Sequence, residues 1–312
     1  AGNDSMTGAA RLPNAMLIGP STGPWRTKID SVSAVDPVPL GPPAPCADCG
    51  GHGIRYDPRV EVGRFGQLDV CPCIARLCRC GARQPFQYWD DDSQRHWCPC
   101  QSARRRLAHV KELFRQVEVP SRFGYKFRDD FHSDGPDGTQ LQVARRARTV
   151  LDYLTALVDD DREPQRGYLL LGPPGTGKTL LACILLNELL LHQARPGRFV
   201  NLSRKFFQQL RDTYSQDSAQ YGKTFQILEH LCNVPYLVLD DFGVQRGTEW
   251  ETEMLYDLVD ARYGDENFTV VTTNQSRTEL EEVAGGRVLS RLLEMCYVVD
   301  MQGQDYRQFL IS

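Results

Sequence analysis

One glycine-rich run of eight residues constrains the fold of this chain more than any other feature. Its pattern, G-x-x-x-x-G-K-T, is formed by Gly172, Pro173, Pro174, Gly175, Thr176, Gly177, Lys178 and Thr179. The apolar segment before it, 168–171, is predicted to be a buried strand, and the apolar segment after it, 180–186, a buried helix. A loop of this pattern between a strand and a helix binds the phosphates of a nucleotide. The sequence therefore predicts a nucleoside-triphosphate site rather than a turn without a ligand.

The residue types in this loop match the chemistry of a triphosphate. Glycines let successive backbone N–H groups turn toward an anionic phosphate, and the N-terminus of the following helix adds a favourable dipole. The Lys178 ammonium is predicted to contact the β- and γ-phosphates, and the Thr179 hydroxyl is predicted to be a ligand of Mg²⁺. ATP and Mg²⁺ are therefore the expected cofactors of this part of the chain.

Size and composition predict a globular protein around the loop. The 312 residues, 41% of them hydrophobic and 24% charged, leave room for one large domain and a small one. No apolar run approaches the ~18 residues of a membrane span, and the amino-terminal residues lack the pattern of a signal peptide. We therefore expect a cytoplasmic protein without a membrane partner. In that reducing compartment cysteines favour metal binding over disulfides.

Charge is distributed unevenly along the chain. Residues 46–128 contain 15 Lys+Arg and 9 Asp+Glu, a surplus of 6, so the net charge of −4 leaves −10 for the remainder. Two interpretations are open: the basic segment contacts an anionic or acidic partner, or it is a solvated charged face. Residues 1–44 are rich in Pro, Gly, Ser and Ala and are predicted to be a disordered leader, with 1–5 interpreted as a cloning remnant.

Eight of the eleven cysteines fall within 55 residues, in paired spacing. Four thiolates from two such pairs can surround one tetrahedral Zn²⁺ ion, so eight make two sites. An interleaved pairing is open, and disulfides or an iron–sulfur cluster are less favoured. His52 and His96 are interpreted as bystanders because the cysteines already complete both sites. The simplest pairing is Cys46, Cys49, Cys71 and Cys73 for one site, and Cys78, Cys80, Cys98 and Cys100 for the other.

These cysteines define a zinc-binding module that is predicted to span residues 45–116. The module is too short and polar to build its own core, so zinc is expected to fold it. A basic helix from Arg104 to about Gln116 leaves it, and a segment of interleaved cations and aromatic residues follows. Two interpretations of that segment are open: phosphate contact with base stacking, or a hinge whose rings dock on the next domain. Its residues are Arg122, Phe123, Tyr125, Lys126, Phe127, Arg128 and Phe131.

Strands and helices alternate through the rest of the chain, after a helix predicted at about 140–158. This alternation predicts an α/β fold in which helices flank a parallel sheet, with the glycine-rich loop at the carboxyl end of a strand. The domain is predicted to span 117–312. Strands are predicted at 167–171, 198–202, 235–240, 268–273 and 297–299, and helices at 178–192, 203–215, 220–232, 248–263 and 285–294.

Acidic and amide side chains end two of the predicted strands. Asp240 and Asp241 follow an apolar segment; Asp240 is expected to hold the water shell of Mg²⁺, and Asp241 to polarise the attacking water. Asn274 ends the next strand and is expected to position that water or to contact the γ-phosphate. The candidates for cationic stabilisation of the γ-phosphate are Arg287, Arg291 and Arg307.

From about residue 123 to its end, the chain resembles the AAA+ ATPases, and within them the bacterial helicase loaders DnaC and DnaI. The transposition helper IstB is similar through the nucleotide site. The resemblance implies a P-loop AAA+ domain with ATPase activity. Besides the loop, it rests on Val238-Leu239-Asp240-Asp241-Phe242-Gly243, Thr248-Glu249-Trp250, Leu255-Tyr256, Ala261-Arg262-Tyr263, Thr272-Thr273-Asn274, Ser290-Arg291-Leu292 and Gly303-Gln304-Asp305-Tyr306-Arg307.

The resemblance also implies residue roles and partners. It implies that Asn274 is sensor 1, that Arg291 is an arginine finger acting on a neighbouring subunit's ATP, and that Arg307 is sensor 2. Such proteins form homo-oligomers through their ATP sites, grip single-stranded DNA inside a spiral, and help place the DnaB-like replicative hexameric helicase. In DnaI-like members a cysteine-rich amino-terminal module contacts the helicase.

We therefore expect an ATP-dependent loader that delivers the replicative helicase to single-stranded DNA. Hydrolysis is expected to be slow and stimulated by DNA or a partner, because Asp241 is one methylene shorter than the Glu of many related ATPases. The alternatives are an IstB-like transposition regulator on duplex DNA, and a zinc adaptor that binds ATP without turnover.

Two features depart from the loaders, namely the second cysteine quartet and the long leader, so the role of the module is open. On the helix after the second strand, Phe206 and Phe207 are expected not to face a core together, so that one stacks on DNA bases; burial of either is the alternative. The other candidates for gripping DNA are Lys205 and Arg211. The later cysteines are expected in the core. They are Cys183, Cys232 and Cys296.

Overall fold

Two hairpins that carry the clustered cysteines precede a parallel sheet along the chain. The computed structural model describes residues 46–62, 65–131, 142–159, 162–202, 206–217, 221–243 and 248–306. The predicted leader and the domain boundary at 44/45 lie outside these residues. The amino-terminal elements are β1 (Ile54–Val62), β2 (Phe65–Val70), α1 (Pro72–Ala75), β3 (Gln87–Trp89), β4 (Arg95–Trp97) and α2 (Gln101–Gln116).

The second part of the chain alternates helices and strands. Its five strands form one parallel sheet, in the spatial order β6-β7-β8-β5-β9. The predicted α/β fold, with helices flanking a parallel sheet, is confirmed. The elements are α3 (Gln142–Asp159), β5 (Gly167–Leu171), α4 (Lys178–Gln193), β6 (Gly197–Asn201), α5 (Phe207–Asp212), α6 (Thr224–Asn233), β7 (Tyr236–Asp240), α7 (Glu249–Gly264), β8 (Phe268–Thr273), α8 (Arg277–Ala284), α9 (Gly286–Met295) and β9 (Cys296–Asp300).

The sheet divides the core into two layers because successive strand residues face opposite sides. Tyr168 and Leu170 of β5 pack with α3 and α4 on one side. Leu169 and Leu171 pack with α7 and α9 on the other. Strands β5, β7 and β8 are buried throughout, which explains their continuous apolar sequences. Among the described residues, no helix is long and apolar enough to cross a bilayer.

The predicted strand limits agree with the structure within one residue at each end. The predicted helices 203–215 and 220–232 are shorter, since α5 ends at Asp212 and α6 begins at Thr224; residues 203–205 and 218–220 lie outside the described part of the chain. Helix α8 was not predicted. Its signal is the capping box at its start, where Ser276 accepts from the Glu279 N–H and Glu279 accepts from the Ser276 N–H.

The two cysteine hairpins share a small core with the sheet domain. Ile54 and Leu68 of the first hairpin pack with Val110 of α2, and this cluster includes Leu191 from α4 and Phe127 from the following segment. The prediction that the module cannot build its own core is consistent with this arrangement, because the sheet domain supplies part of the apolar surface. The predicted boundary between module and ATPase domain at 116/117 stays a prediction.

The segment of interleaved cations and aromatic residues docks on the protein. Phe127 and Phe131 are buried, and Tyr125 stacks on Phe114 with ring centroids 4.8 Å apart. The Lys126 ammonium pairs with Asp130 at 2.6 Å. The interpretation in which these rings dock on the protein is therefore confirmed over the one in which they stack on bases, and the role of the segment as a hinge stays a prediction.

A buried arginine bonds several elements at the amino-terminal edge of the sheet, opposite the edge that carries the glycine-rich loop. Arg262 of α7 has no exposed surface. Burial lowers the pKa of its guanidinium to about 9, so the group is still protonated at pH 7. Its N–H groups donate to the Thr269 hydroxyl and to the backbone carbonyls of Leu231, Cys232, Val234, Pro235 and Phe268.

We predict that Arg262→Met lowers the free energy of unfolding by about 3 kcal/mol or more, because it leaves several buried carbonyl groups without a donor. The measurement is chemical denaturation followed by circular dichroism. The control is Arg277→Met on an exposed helix position, which we expect to change stability by no more than about 0.5 kcal/mol. Equal midpoints for the two variants would contradict this structural role.

Candidate nucleotide site and cysteine clusters

The glycine-rich loop joins β5 to α4 at the carboxyl edge of the sheet. Gly177, the residue before α4, has φ 87°, a left-handed conformation that glycine adopts without strain. Gly175 has φ 82°, and a Cβ atom there would overlap the Asp305 carboxylate. The Tyr306 N–H donates to the Gly175 carbonyl at 3.0 Å. The segment that leads to Arg307 therefore lies against the loop, while Arg307 itself is outside the described residues.

The predicted phosphate-binding lysine is held inside the loop. Lys178 is buried, and its ammonium donates to the carbonyls of Gly172 at 2.8 Å and Pro173 at 2.7 Å. The Thr176 hydroxyl also donates to the Pro173 carbonyl, at 3.0 Å. These bonds hold the cation at the base of the loop, where it can reach a phosphate after a change of side-chain conformation.

Hydroxyl groups connect the loop to the acidic pair that ends β7. The Thr179 hydroxyl donates to Asp240 Oδ1 at 2.8 Å. The Thr272 hydroxyl of β8 donates to the same oxygen at 2.7 Å and accepts from the Asp241 N–H at 3.1 Å. Three elements that are distant in sequence therefore meet at one carboxylate, as expected for parallel strands whose carboxyl ends share an edge.

Asn201, which ends β6, holds both acids. Its side-chain amide donates to Asp240 Oδ2 at 3.1 Å and to Asp241 Oδ2 at 2.9 Å. Sequence analysis missed Asn201 and Thr272. The available signal was their position, because each is a polar residue near the carboxyl end of a strand that neighbours β7.

The electrostatics of the acidic pair favour a cation. Burial raises the pKa of Asp240, the Thr272 hydroxyl opposes this shift, and the charge of Asp241 adds to it. A buried carboxylate beside a second carboxylate is stabilised by a bound divalent ion. Oxygen ligands suit Mg²⁺, so the donor set of Thr179 and Asp240 fits the predicted magnesium site.

The other predicted catalytic residues lie apart from this network. Asn274 follows β8 directly and is exposed. Arg291 on α9 donates to Asp260 and to the Tyr256 hydroxyl of α7 at 3.1 Å, and its guanidinium lies 4.9 Å from the Tyr256 ring centre. Arg287 is exposed one turn earlier. No contact described for Arg291 reaches the loop or the acidic pair.

The structure groups the eight amino-terminal cysteines in the simplest predicted pairing. Within each group all four Sγ atoms lie within 4.8 Å of one another. The first group joins cysteines before the β1–β2 hairpin to cysteines after it, and the second encloses the β3–β4 hairpin. The groups are Cys46, Cys49, Cys71 and Cys73, and Cys78, Cys80, Cys98 and Cys100.

Sulfur geometry fits one tetrahedral ion in each group. The shortest Sγ–Sγ distances are 3.5 to 3.7 Å, as in the Cys46–Cys71 and Cys80–Cys100 pairs. Zn–S bonds of about 2.3 Å in a tetrahedron place sulfurs about 3.8 Å apart, whereas a disulfide needs about 2.05 Å. Although burial raises the pKa of Cys98, N–H donors from Cys100 and Arg79 bring it to about 6, whereas burial raises the pKa of Cys71 and Cys100, whose protons zinc would displace on binding. The donor sets therefore fit zinc.

The structure also tests the predictions for two histidines and the three later cysteines. His52 and His96 belong to neither sulfur group: His52 lies edge-on to His192, and His96 bonds Asp90 at 2.6 Å. Cys183 and Cys296 are buried in the core as expected, and Cys232 is half-buried.

The prediction that Phe206 and Phe207 cannot both face a core was wrong. Their exposed fractions are 1% and 4%. Both rings pack in the second core layer, where they meet edge-on with centroids 5.1 Å apart and Phe207 also contacts the Trp250 ring at 6.2 Å. Arg211 pairs with Glu251 at 3.1 Å, and Lys205 lies outside the described residues.

We predict that Asn201→Ala slows single-turnover hydrolysis of ATP about tenfold or more, because Asp241 loses the amide that orients its carboxylate. In an Asp241→Asn background the same substitution should add little, since coupled residues do not contribute additively. The control Asn233→Ala, on an exposed helix end, should leave the rate unchanged. An equal effect of Asn201→Ala in both backgrounds would show that Asn201 does not act through Asp241.

We predict that Cys100→Ser lowers the zinc content from about two ions per chain to about one, because one tetrahedral set loses a ligand. Native mass spectrometry measures the metal content. Cys232→Ser, which changes a cysteine outside both sets, should keep both ions. Wild-type protein without zinc, or Cys100→Ser with full zinc, would contradict the assignment.

Comparisons with known proteins agree with this site. A family model described as IstB-like ATP binding protein matches residues 154–309, which include the loop, Asn201 and the acidic pair. The replicative helicase loader DnaC of Escherichia coli K12 is 30% identical over 125 residues, covering 40% of this chain and 49% of that protein. The chain thus spans about half the length of the curated loaders that it matches.

A longer match relates the chain to the uncharacterized protein YdaV of Escherichia coli K12, with 30% identity over 224 residues, 72% of this chain and 87% of that protein. The crystal structure of the DnaC helicase loader superposes with a TM-score of 0.49 at 25% identity, covering 58% of this chain and 99% of that chain. On the family model and the match to YdaV, the chain belongs to the family of IstB-like ATP-binding proteins.

Proposed function

We propose that this protein is an ATP-dependent loader that delivers a replicative hexameric helicase onto single-stranded DNA. The observation that carries the proposal is the 30% identity with proteins named replicative helicase loader. The nucleotide site supports it, because the loop lysine, the loop threonine and the acidic pair lie at one edge of the sheet. ATP binding and hydrolysis would switch assembly and the grip on DNA.

Each residue of the site has a task in this proposal. Lys178 binds the β- and γ-phosphates, and Thr179 with Asp240 holds Mg²⁺, which neutralises charge on the phosphate oxygens when bound. Asp241 orients the attacking water and accepts its proton. Asn201 keeps the two carboxylates in place before ATP arrives.

We propose that turnover is slow and stimulated by DNA or a partner. Asp241 has φ 59°, an uncommon conformation for a residue other than glycine, and its carboxylate is tied to Asn201. The Asp241 side chain is also one methylene shorter than the Glu of many related ATPases, so its carboxylate reaches less far toward an attacking water molecule. Fast single-turnover hydrolysis that Asp241→Glu does not change would contradict slow turnover.

The finger role of Arg291 involves a second subunit. Arg291 contacts α7 of its own chain, and its described partners do not belong to the nucleotide network, which supports action on a neighbour's ATP. We propose Asn274 as sensor 1 and Arg307 as sensor 2; the segment before Arg307 lies against the loop. Assembly would then proceed through the ATP sites.

The DNA contacts of the ATPase part need new candidates, since both phenylalanines are buried and Arg211 is paired. Three exposed aromatic residues lie in the same region, at the end of α5 and the start of α6, and rings in water can stack on bases. Their replacement by alanine should weaken ATP-dependent retention of single-stranded DNA in the loading assay described below. They are Tyr214, Tyr221 and Phe225.

The two alternative functions are not favoured by the comparisons. The similar proteins whose names state an activity are helicase loaders rather than transposition regulators. An adaptor without turnover would not need a second carboxylate beside the magnesium ligand, yet Asp241 is held there by Asn201. Measured turnover of ATP separates this adaptor from the loader.

We predict that Lys178→Ala lowers ATP hydrolysis about 100-fold and abolishes loading, because the γ-phosphate loses its cation. The loading assay measures unwinding of a circular single-stranded template with an annealed oligonucleotide, by the host's replicative helicase. Wild-type protein with ATP should stimulate unwinding, and the variant should not.

The matched control is Lys111→Ala on α2, which removes a lysine outside the nucleotide site and should load the helicase normally. A wild-type chain that hydrolyses ATP but neither captures the helicase nor stimulates unwinding would contradict the loader function. A Lys178→Ala chain that loads normally would contradict the proposed role of ATP.

A further inference from the structure

The second cysteine hairpin displays two tryptophan rings and two arginines to solvent. In the β3–β4 register Gln87 pairs with Trp97, and Trp89 pairs with Arg95. Cross-strand partners and alternate residues share a face, so Trp89, Trp97 and Arg95 lie on one side of the hairpin. Arg105 of α2 lies over the Trp97 ring, 6.0 Å from its centre. We call these four residues the tryptophan face.

The small size of the hairpin does not explain why the two tryptophan rings are exposed, because the hairpin does partly bury an aromatic ring on its other face. Its opposite face carries Tyr88, which packs against the shared core of the two hairpins, with Arg79 5.3 Å from its ring centre. In contrast, Trp89 is 68% exposed and Trp97 is 48% exposed. Large aromatic residues left in water at neighbouring positions mark a binding surface.

The charge around the face is positive. Residues 76–106 contain seven arginines and three aspartates, a surplus of four, and a zinc ion with four thiolates would reduce it to two. The aspartates lie together at the turn of the hairpin. Asp90 turns back to accept from the Gln94 N–H at 2.7 Å and to bond His96, and these contacts lower its pKa. Arg95 follows the turn directly and pairs with Trp89, whereas Arg105 lies over Trp97 at the end of the hairpin away from the turn.

We propose that the tryptophan face binds single-stranded DNA without requiring ATP. Bases would stack on Trp89 and Trp97, and the guanidinium groups of Arg95 and Arg105 would contact the adjacent phosphates. Trp and Arg are also enriched at protein interfaces, so a protein partner is an outcome of the test. The positive surplus around the rings favours a polyanion. Here the rings are bordered by arginines in water.

This inference goes beyond the loader function, since it places a DNA contact on the cysteine module rather than on the ATPase domain. A strand held there would stay attached through changes of nucleotide state. The bound strand would run from the exposed rings toward α2, because the acidic turn repels phosphates at the other end.

The test is binding of a fluorescent thymidine oligonucleotide to the full chain without nucleotide or helicase, measured by anisotropy. The double variant W89A/W97A should weaken binding about tenfold or more, since each stacked base contributes measurably to affinity. The double variant R95Q/R105Q should make binding less sensitive to salt. The slope of log K against log salt should fall in magnitude by about 0.7 for each phosphate that the arginines no longer neutralise.

Tyr153→Ala is the matched control because Tyr153 is also 48% exposed but lies on α3. Its affinity should equal that of the wild type. The double variants should keep the wild-type circular dichroism and zinc content, which separates loss of binding from loss of fold.

Unchanged oligonucleotide affinity in W89A/W97A would overturn the proposal. Equal affinity for duplex of the same length would also overturn it, because paired bases cannot stack on the rings. If W89A/W97A loses helicase capture but binds DNA normally, the face belongs to a protein partner and the proposal fails. Because ATP and helicase are absent from the binding test, its outcome is independent of the loader function.

Discussion

The burial of helix α4 is the constraint on which the arrangement of both sites depends. Its side chains from Leu181 to Leu191 are buried between the sheet, α3 and the segment that follows α2. Within this apolar run Asn187 donates to the carbonyls of Phe123 and Lys126, and Glu188 accepts from the Arg128 N–H. The docked linker therefore bonds the Asn187 amide nitrogen and one Glu188 carboxylate oxygen, which ties it to the middle of the helix.

This helix connects the two functional regions physically. Its N-terminal end carries Lys178 and Thr179 of the nucleotide site. Its C-terminal end contacts the cysteine module, where Leu191 enters the shared core and His109 of α2 bonds the Ala194 carbonyl at 3.0 Å. One continuous helix therefore links the predicted triphosphate site to the cysteine module. Its burial also keeps the two ends at a constant distance.

Local sequence signals were sufficient for most of the fold and part of the site. The five strands, the glycine-rich loop, the acidic pair and the two cysteine quartets each have a short pattern with a physical cause, and the structure places them as expected. Both cysteine hairpins were missed because their strands show no strong periodicity. Helix α8 was missed although a capping box marks its start. Asn201 was missed because its role depends on which strand neighbours β7, and the sequence does not state strand order.

The sequence by itself determined that the chain has a triphosphate loop, an acid-terminated strand and two sets of four cysteines, because residue type and spacing define each of them. The tertiary structure decided how these parts meet. Packing in the second core layer buries Phe206 and Phe207 together, and the parallel sheet brings Asn201 to the acidic pair. It also left Trp89 and Trp97 in water, since only the other face of their hairpin meets apolar surface. Burial and strand order arise from contacts between distant segments, which no local pattern encodes.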